Sequence, residues 1–145
     1  MKTQKIYSDV SFNAKILRNS LMDSAIAEAK KAPVYKKRTF YNVLDLIHND
    51  CTLKSVGISK TDDVPKHIVT ATYLSNNKNT YYNPINEKVK EGIEAMQSLL
   101  TFVSGHYGNM MLNRIKNMRV VDDNSLDQKI DSILKLNQIN YKNIV

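Results

Sequence analysis

His48 and Cys51 stand three residues apart in His48-Asn49-Asp50-Cys51, where an imidazole and a thiol could face one ligand. A structural zinc site needs four ligands, and the remaining candidates, His67, His106 and scattered aspartates, have no paired spacing. The same pair as base and nucleophile lacks a recognisable oxyanion site and an orienting third group. The expectation is therefore a buried cysteine beside a helix-end histidine. Asp122 and Asp123 with Asp127 and Asp131 do not match the spacing of a calcium loop, and acidic residues at a helix start already have a dipole explanation. Gly57, Gly92, Gly105 and Gly108 are too isolated to form a phosphate-cradling loop. No catalytic residue, metal site or cofactor is expected, and the chain does not read as an enzyme.

Binding chemistry is better represented. Lys30, Lys31, Lys36, Lys37 and Arg38 form a basic cluster interleaved with Tyr35, Phe40 and Tyr41. Cations beside aromatic rings can hold phosphates and stack on bases, and Arg114, Lys116 and Arg119 could extend such a face. Tyr73, Tyr81 and Tyr82 flank an Asn-rich stretch, and tyrosine makes a good interface residue. Ile139, Tyr141 and Ile144 belong to an apolar tail of the kind that docks on its own domain or on a neighbour. A helix-turn-helix centred on Gly57 fails, because Asp63 and Lys66 would fall where its recognition helix needs apolar residues. A winged-helix variant with a hairpin at 67–83 as its wing is the weaker option.

The elements that would carry these residues read as mostly helical. Ser11 is a candidate N-cap for a helix running to about Ala32, with an apolar stripe at Ala14, Leu17, Leu21, Ala25 and Ala29. Pro33 stops it. Residues 34–38 read as a basic linker, and Thr39 caps a second helix with Phe40, Val43, Leu44 and Ile47 on one face. Cys51 to Lys60 reads as a turn-rich connection whose Leu53, Val56 and Ile58 join the core. Asp62-Asp63-Val64-Pro65 favours a third helix presenting Val64, Ile68, Ala71 and Leu74. A hairpin is the competing reading, because residues 67–74 are rich in β-branched side chains.

Asn83 to Val121 is expected to be the central helix, broken near Gly105 to Gly108. Its apolar steps place Ile93, Met96, Leu100 and Val103 on one seam, widened by Leu99 and Phe102. Ser125-Leu-Asp-Gln128 matches a capping box for a last helix burying Leu126, Ile130, Ile133 and Leu134. The expected fold is mainly α, a bundle of about five helices around the long kinked helix. An α+β domain with a small hairpin at 67–83 is the runner-up. The chain is read as a single domain, 1–145, with an extended arm at 1–10 and an apolar tail at 138–145.

Composition bounds the function. The 145 residues are 42% hydrophobic and 24% charged, a globular rather than disordered balance. No run approaches the roughly 20 apolar residues that cross a bilayer, and the first residues lack the apolar core of a signal peptide. A single cysteine excludes an internal disulfide and fits a reducing compartment. The expected location is cytoplasmic, in a cell or an infected host, or within a virion, since the Lys/Asn/Ile-rich composition is of viral or phage type. The net charge of +7 favours anionic partners. Lysine supplies most of it and has AT-rich codons, so genome bias alone can produce it. The expected function is a non-enzymatic assembly or accessory protein acting through protein contacts or self-association. Nucleic-acid binding by the cluster at 30–38 is the alternative.

Overall fold

The computed structural model describes residues 13–61, 63, 66–120 and 125–144, the last six of these by backbone alone. The expected N-terminal arm, the Ser11 cap, the Asp62 to Pro65 helix start apart from Asp63, the acidic corner at 122–124 and the side chains of Ile139, Tyr141 and Ile144 lie outside the described residues. The elements run β1 (Lys15–Ile16), α1 (Ser20–Lys31), α2 (Val34–His48), β2 (Leu53–Lys60), β3 (Lys66–Tyr73), β4 (Lys78–Pro84), α3 (Glu91–Tyr107), α4 (Asn109–Asn117) and α5 (Leu126–Ile144). The four strands form one mixed sheet in the order β1-β2-β3-β4. The fold is α+β, which overturns the expected helical bundle.

Alternation decides the sheet. Leu53, Val56 and Ile58 of β2 are buried, as are His67, Val69 and Ala71 of β3, while the residues between them face outward. From Val56 to Ile58 and from His67 to Ala71 burial recurs at every second residue, the strand period, and the register shifts once, between Leu53 and Ser55. The helical reading of 64–74 needed Ile68 and Leu74 inside, but Leu74 is 47% exposed in the turn. β2 and β3 pair antiparallel with Val56 opposite Ala71, and β3 and β4 pair antiparallel with Val69 opposite Tyr81. The turn between β3 and β4 places Asn76 at φ 72 and is closed by Tyr73 N–H donating to the Asn77 carbonyl at 2.8 Å. The stretch 51–60, expected to be a connection, is mostly an internal strand. The hairpin at 67–83 is one part of the sheet, not the wing of a winged helix.

The first helix begins later than expected. Ala14 and Ile16 are buried, but Ile16 sits in a strand parallel to β2, opposite Val56. Asn19 caps α1, its Oδ1 accepting from Met22 N–H at 2.9 Å and its Nδ2 donating to the Ile58 carbonyl at 2.7 Å. Pro33 ends α1 and stands at the N-cap of α2, so residues 34–38 are the first turns of a helix, not a linker. Thr39 is inside that helix, donating to the Tyr35 carbonyl at 2.9 Å.

The central helix is shorter at its start. Asn83 and Pro84 end β4, and α3 begins at Glu91. Its break falls in the expected region, at Gly108, whose φ of 101 is open to glycine and costly for other residues. The face of α3 turned inward is Gly92, Ala95, Ser98, Leu99, Phe102 and Val103. At Gly92 a Cβ would lie 2.5 Å from the Ser24 carbonyl oxygen, so α1 and α3 cross with their backbones almost touching. The other side of α3 carries Ile93, which is exposed, and Met96 and Leu100, which are half-buried and pack against the edge of the core.

Candidate protein-binding groove

α1 ends on Lys31 and α2 starts on Val34, so Ala32 and Pro33 form a tight corner. Opposite the corner runs the outer flank of α3. Between them lies a groove of about 500 Å³, to whose lining α4 adds Lys116. Its floor is apolar: Phe40 and Val43 from α2, and Ile93, Met96 and Leu100 from α3. Ile93 is 45% exposed, and Met96 and Leu100 are half-buried. Polar walls come from Tyr35, Thr39, Gln97 and Glu28.

The rim is cationic. Lys31 and Lys36 come from the α1–α2 corner and Lys116 from α4. No ion pair engages these three among the described residues. Glu28, the acidic residue of the lining, has Lys90 Nζ 3.9 Å from its Oε1. The first turn of α2 contains no acidic residue, and no side chain caps it. Lys36 and Lys37 thus sit at the positive end of the α2 dipole, where carboxylates are normally favoured.

The structure splits the basic cluster read from sequence. Lys30 pairs with Asp131 and Lys37 with Asp127 at 2.9 Å, so these two cations join α1 and α2 to α5. Arg38 is half-buried and also engaged. Lys31 and Lys36 alone of the five line the groove. The tyrosines separate too. Tyr81 Oη lies 2.6 Å from His106 Nδ1, its ring edge-on to Phe102. Tyr73 is half-buried, accepting from Asn79 Nδ2 at 3.0 Å. Tyr82 stays at the surface, 55% exposed, with Lys66 Nζ 5.8 Å from its ring centre.

No protein-family model, no curated protein and no solved structure matches this chain.

The residues with reactive side chains are held apart. His48 is buried and its Nδ1 lies 2.9 Å from Asn137 Nδ2, whereas Cys51 is exposed, contrary to the expected buried thiol. A shallower hollow of about 360 Å³ runs beside Cys51, Asp50 and Tyr107. There Asp50 accepts from Thr52 N–H, Thr52 Oγ1 and Tyr107 Oη at 2.8, 2.6 and 2.6 Å. Burial would raise the Asp50 carboxyl, but these hydrogen bonds outweigh it and hold the group below its ordinary value. Burial and the Asp50 hydrogen bond together drive the Tyr107 phenol far up, so it stays protonated. Among the described residues no group of three or more His, Cys, Asp or Glu is placed to hold a metal ion, and no helix is long and apolar enough to cross a membrane.

Asn137 and His67 have buried roles that the sequence reading did not assign. Asn137 is 1% exposed and joins three elements. Its Oδ1 accepts from Ile16 N–H at 2.9 Å and its Nδ2 donates to the Ala14 carbonyl at 2.7 Å, beside His48 Nδ1. His67 is fully buried, with Nδ1 3.2 Å from Ser98 Oγ. Ser98 donates its own hydrogen to the Glu94 carbonyl at 2.8 Å, so Nδ1 carries the His67 proton. Nε2 is then a bare acceptor with no partner among the described residues. The signal for the groove was present in sequence as the unusual apolar width of α3, which one buried face does not account for.

Proposed function

We propose that this chain is a non-enzymatic protein that works through protein contacts, as an assembly or accessory component, and that the groove between α1, α2 and α3 is its contact surface. One observation carries the reading. Ile93, Met96 and Leu100 hold apolar surface open to solvent in a concave site whose volume lies within the range of ligand-binding clefts. Met96 and Leu100 pack with one side on the core and leave the other to the groove, beside the exposed Ile93. Asp50, His48 and His106 already have hydrogen-bond partners inside the fold, which favours binding over reaction chemistry.

Photo-cross-linking tests the proposal. A photoreactive amino acid replaces Met96 in one variant and Thr80, on the exposed strand β4, in another. The expected result in the producing cells is one discrete protein adduct from position 96, several-fold above position 80. Equal labelling from both positions, or none from 96, would contradict the proposal.

Nucleic-acid binding is the second reading, favoured by Lys31, Lys36 and Lys116, which have no ion pair among the described residues, beside Tyr35, which is 57% exposed. Against it, Lys30 and Lys37 of the expected phosphate-binding cluster already face aspartates. Three phosphate contacts would give a log–log salt slope of about −2.7 on duplex DNA. The expected result for oligonucleotides is weak binding, with no change of slope when the three lysines become alanine.

A further inference from the structure

We infer that the occupant of the groove is an acidic amphipathic helix supplied by another protein. The inference rests on the protein-contact reading above and adds the chemistry of the partner.

The backbone of the walls selects a helix. An extended peptide draws its affinity from main-chain hydrogen bonds to a sheet edge. The groove is walled by α1, α2, α3 and α4, whose mid-helix amides and carbonyls are already paired along each helix. A segment entering it must satisfy its own backbone, as a helix does. The floor of Phe40, Val43, Ile93, Met96 and Leu100 then suits an apolar stripe at i, i+3, i+4 and i+7. Met96 gives this floor an adaptable, polarizable surface.

Charge selects the flanks of that helix. Lys31 and Lys36 at the α1–α2 corner and Lys116 on α4 have no carboxylate partner among the described residues, so Glu or Asp flanking the stripe would meet cations. The N-terminus of α2 adds to this. Lys36 stands in its first turns with no acidic cap, a local conflict with the helix dipole that an acidic partner relieves, whereas Lys37 already meets Asp127. Conflicts of this kind concentrate where a chain is shaped for a function. A second copy of this chain is the poorer occupant. It carries a net charge of +7, and Asp127 and Asp131 of its α5 are engaged by Lys37 and Lys30.

Fluorescence anisotropy with designed peptides tests the inference. The probe is a labelled peptide of about 16 residues, long enough to form a helix, with a leucine stripe flanked by glutamates. Two siblings carry lysines in place of the glutamates, or the same composition in shuffled order. The glutamate peptide is expected to bind about tenfold tighter than either sibling, and more weakly as salt rises. Met96→Glu should abolish binding. Lys31→Glu with Lys36→Glu should reverse the preference, so that the lysine peptide now binds better. All these positions are exposed or half-buried, and circular dichroism verifies that each variant is folded. Equal binding of the glutamate and lysine peptides, both lost in Met96→Glu, would overturn the acidic partner and leave the protein-contact reading standing. Equal binding of the shuffled peptide would overturn the helix. No peptide binding, with a cross-link still formed from position 96, would overturn the inference without touching that reading. A single-stranded oligonucleotide displacing the glutamate peptide, or sedimentation showing self-association lost in Met96→Glu, would assign the groove to nucleic acid or to a second copy instead.

Discussion

Asn137 and His67 are both buried amide- or imidazole-bearing side chains, yet their situations are opposite. Asn137 satisfies the buried N–H of Ile16 and the buried C=O of Ala14, just before the first strand, so Asn137→Ala orphans both. Each orphan costs about 1–3 kcal/mol, and urea denaturation should show a loss of at least 2 kcal/mol. His67 has one nitrogen with no partner among the described residues to take up a proton. Burial lowers its pKa below the ordinary 6.5, and burial acts the same way on His48 and His106. The unfolded chain therefore binds protons more readily than the folded one. Stability should be at its plateau above about pH 6.5 and fall as pH drops below it, by about 1.4 kcal/mol per pH unit for each histidine involved. His67→Gln should make this acid limb shallower by up to one proton, read from urea midpoints at pH 7, 6 and 5. Neither residue's role was legible in the chain. What a buried polar side chain does depends on the atoms across from it, and for Asn137 those belong to Ala14 and Ile16, at the far end of the sequence.

The crossing of α1 and α3 gives the element scale its sharpest expectation. Gly92→Ala would gain helix propensity but push a methyl group to 2.5 Å from a carbonyl oxygen that cannot move aside. The clash should win, with a net loss of about 1–2 kcal/mol. Neighbouring leucines on α3 should behave differently. Leu99 is fully buried, so Leu99→Ala should cost about 2–5 kcal/mol. Leu100 is half-buried in the groove floor, so Leu100→Asp should stay folded by circular dichroism. The apolar stripes of α1, α2 and α5 were readable because Leu21-Ala25-Ala29, Phe40-Val43-Leu44-Ile47 and Leu126-Ile130-Ile133 repeat at helical spacing over several turns. The sheet was harder to read. In β3, Ala71 fits a helical face with Ile68 and a strand face with Val69 and His67 equally well, and an eight-residue run is too short for periodicity to decide. On α3 the seam was placed one residue off the buried face, because apolar residues on the groove side blur the inward one.

At the scale of the whole molecule, the two ends of the described chain meet. The first strand packs against the last helix through Asn137 and through Gln138, whose Nε2 donates to the Ile16 carbonyl at 3.4 Å. α5 also buries Leu126, Ile130, Ile133 and Leu134 and pairs with Lys30 and Lys37. Removing residues 126–145 would take those apolar side chains from the core and release β1. The truncated chain should lose its cooperative thermal transition and become a ready substrate for limited proteolysis. The charge of +7 was legible, but its division was not. Which lysines meet aspartates of α5 and which line the groove depends on how α1, α2 and α5 pack.

The mixed sheet also implies an order of events in time. β2, β3 and β4 follow one another as a meander, and the turn at Leu74 to Asn77 brings β3 and β4 together over a few residues. Ile16 and Val56, by contrast, close a loop that contains both α1 and α2, and Asn137 must arrive from the other end of the chain to hold it. Chain closure of that length is entropically late. In stopped-flow measurements Asn137→Ala should leave the refolding rate nearly unchanged and put most of its effect into faster unfolding, the behaviour of a contact made after the barrier is crossed. The parallel two-residue strand would then be the last part of the sheet to form.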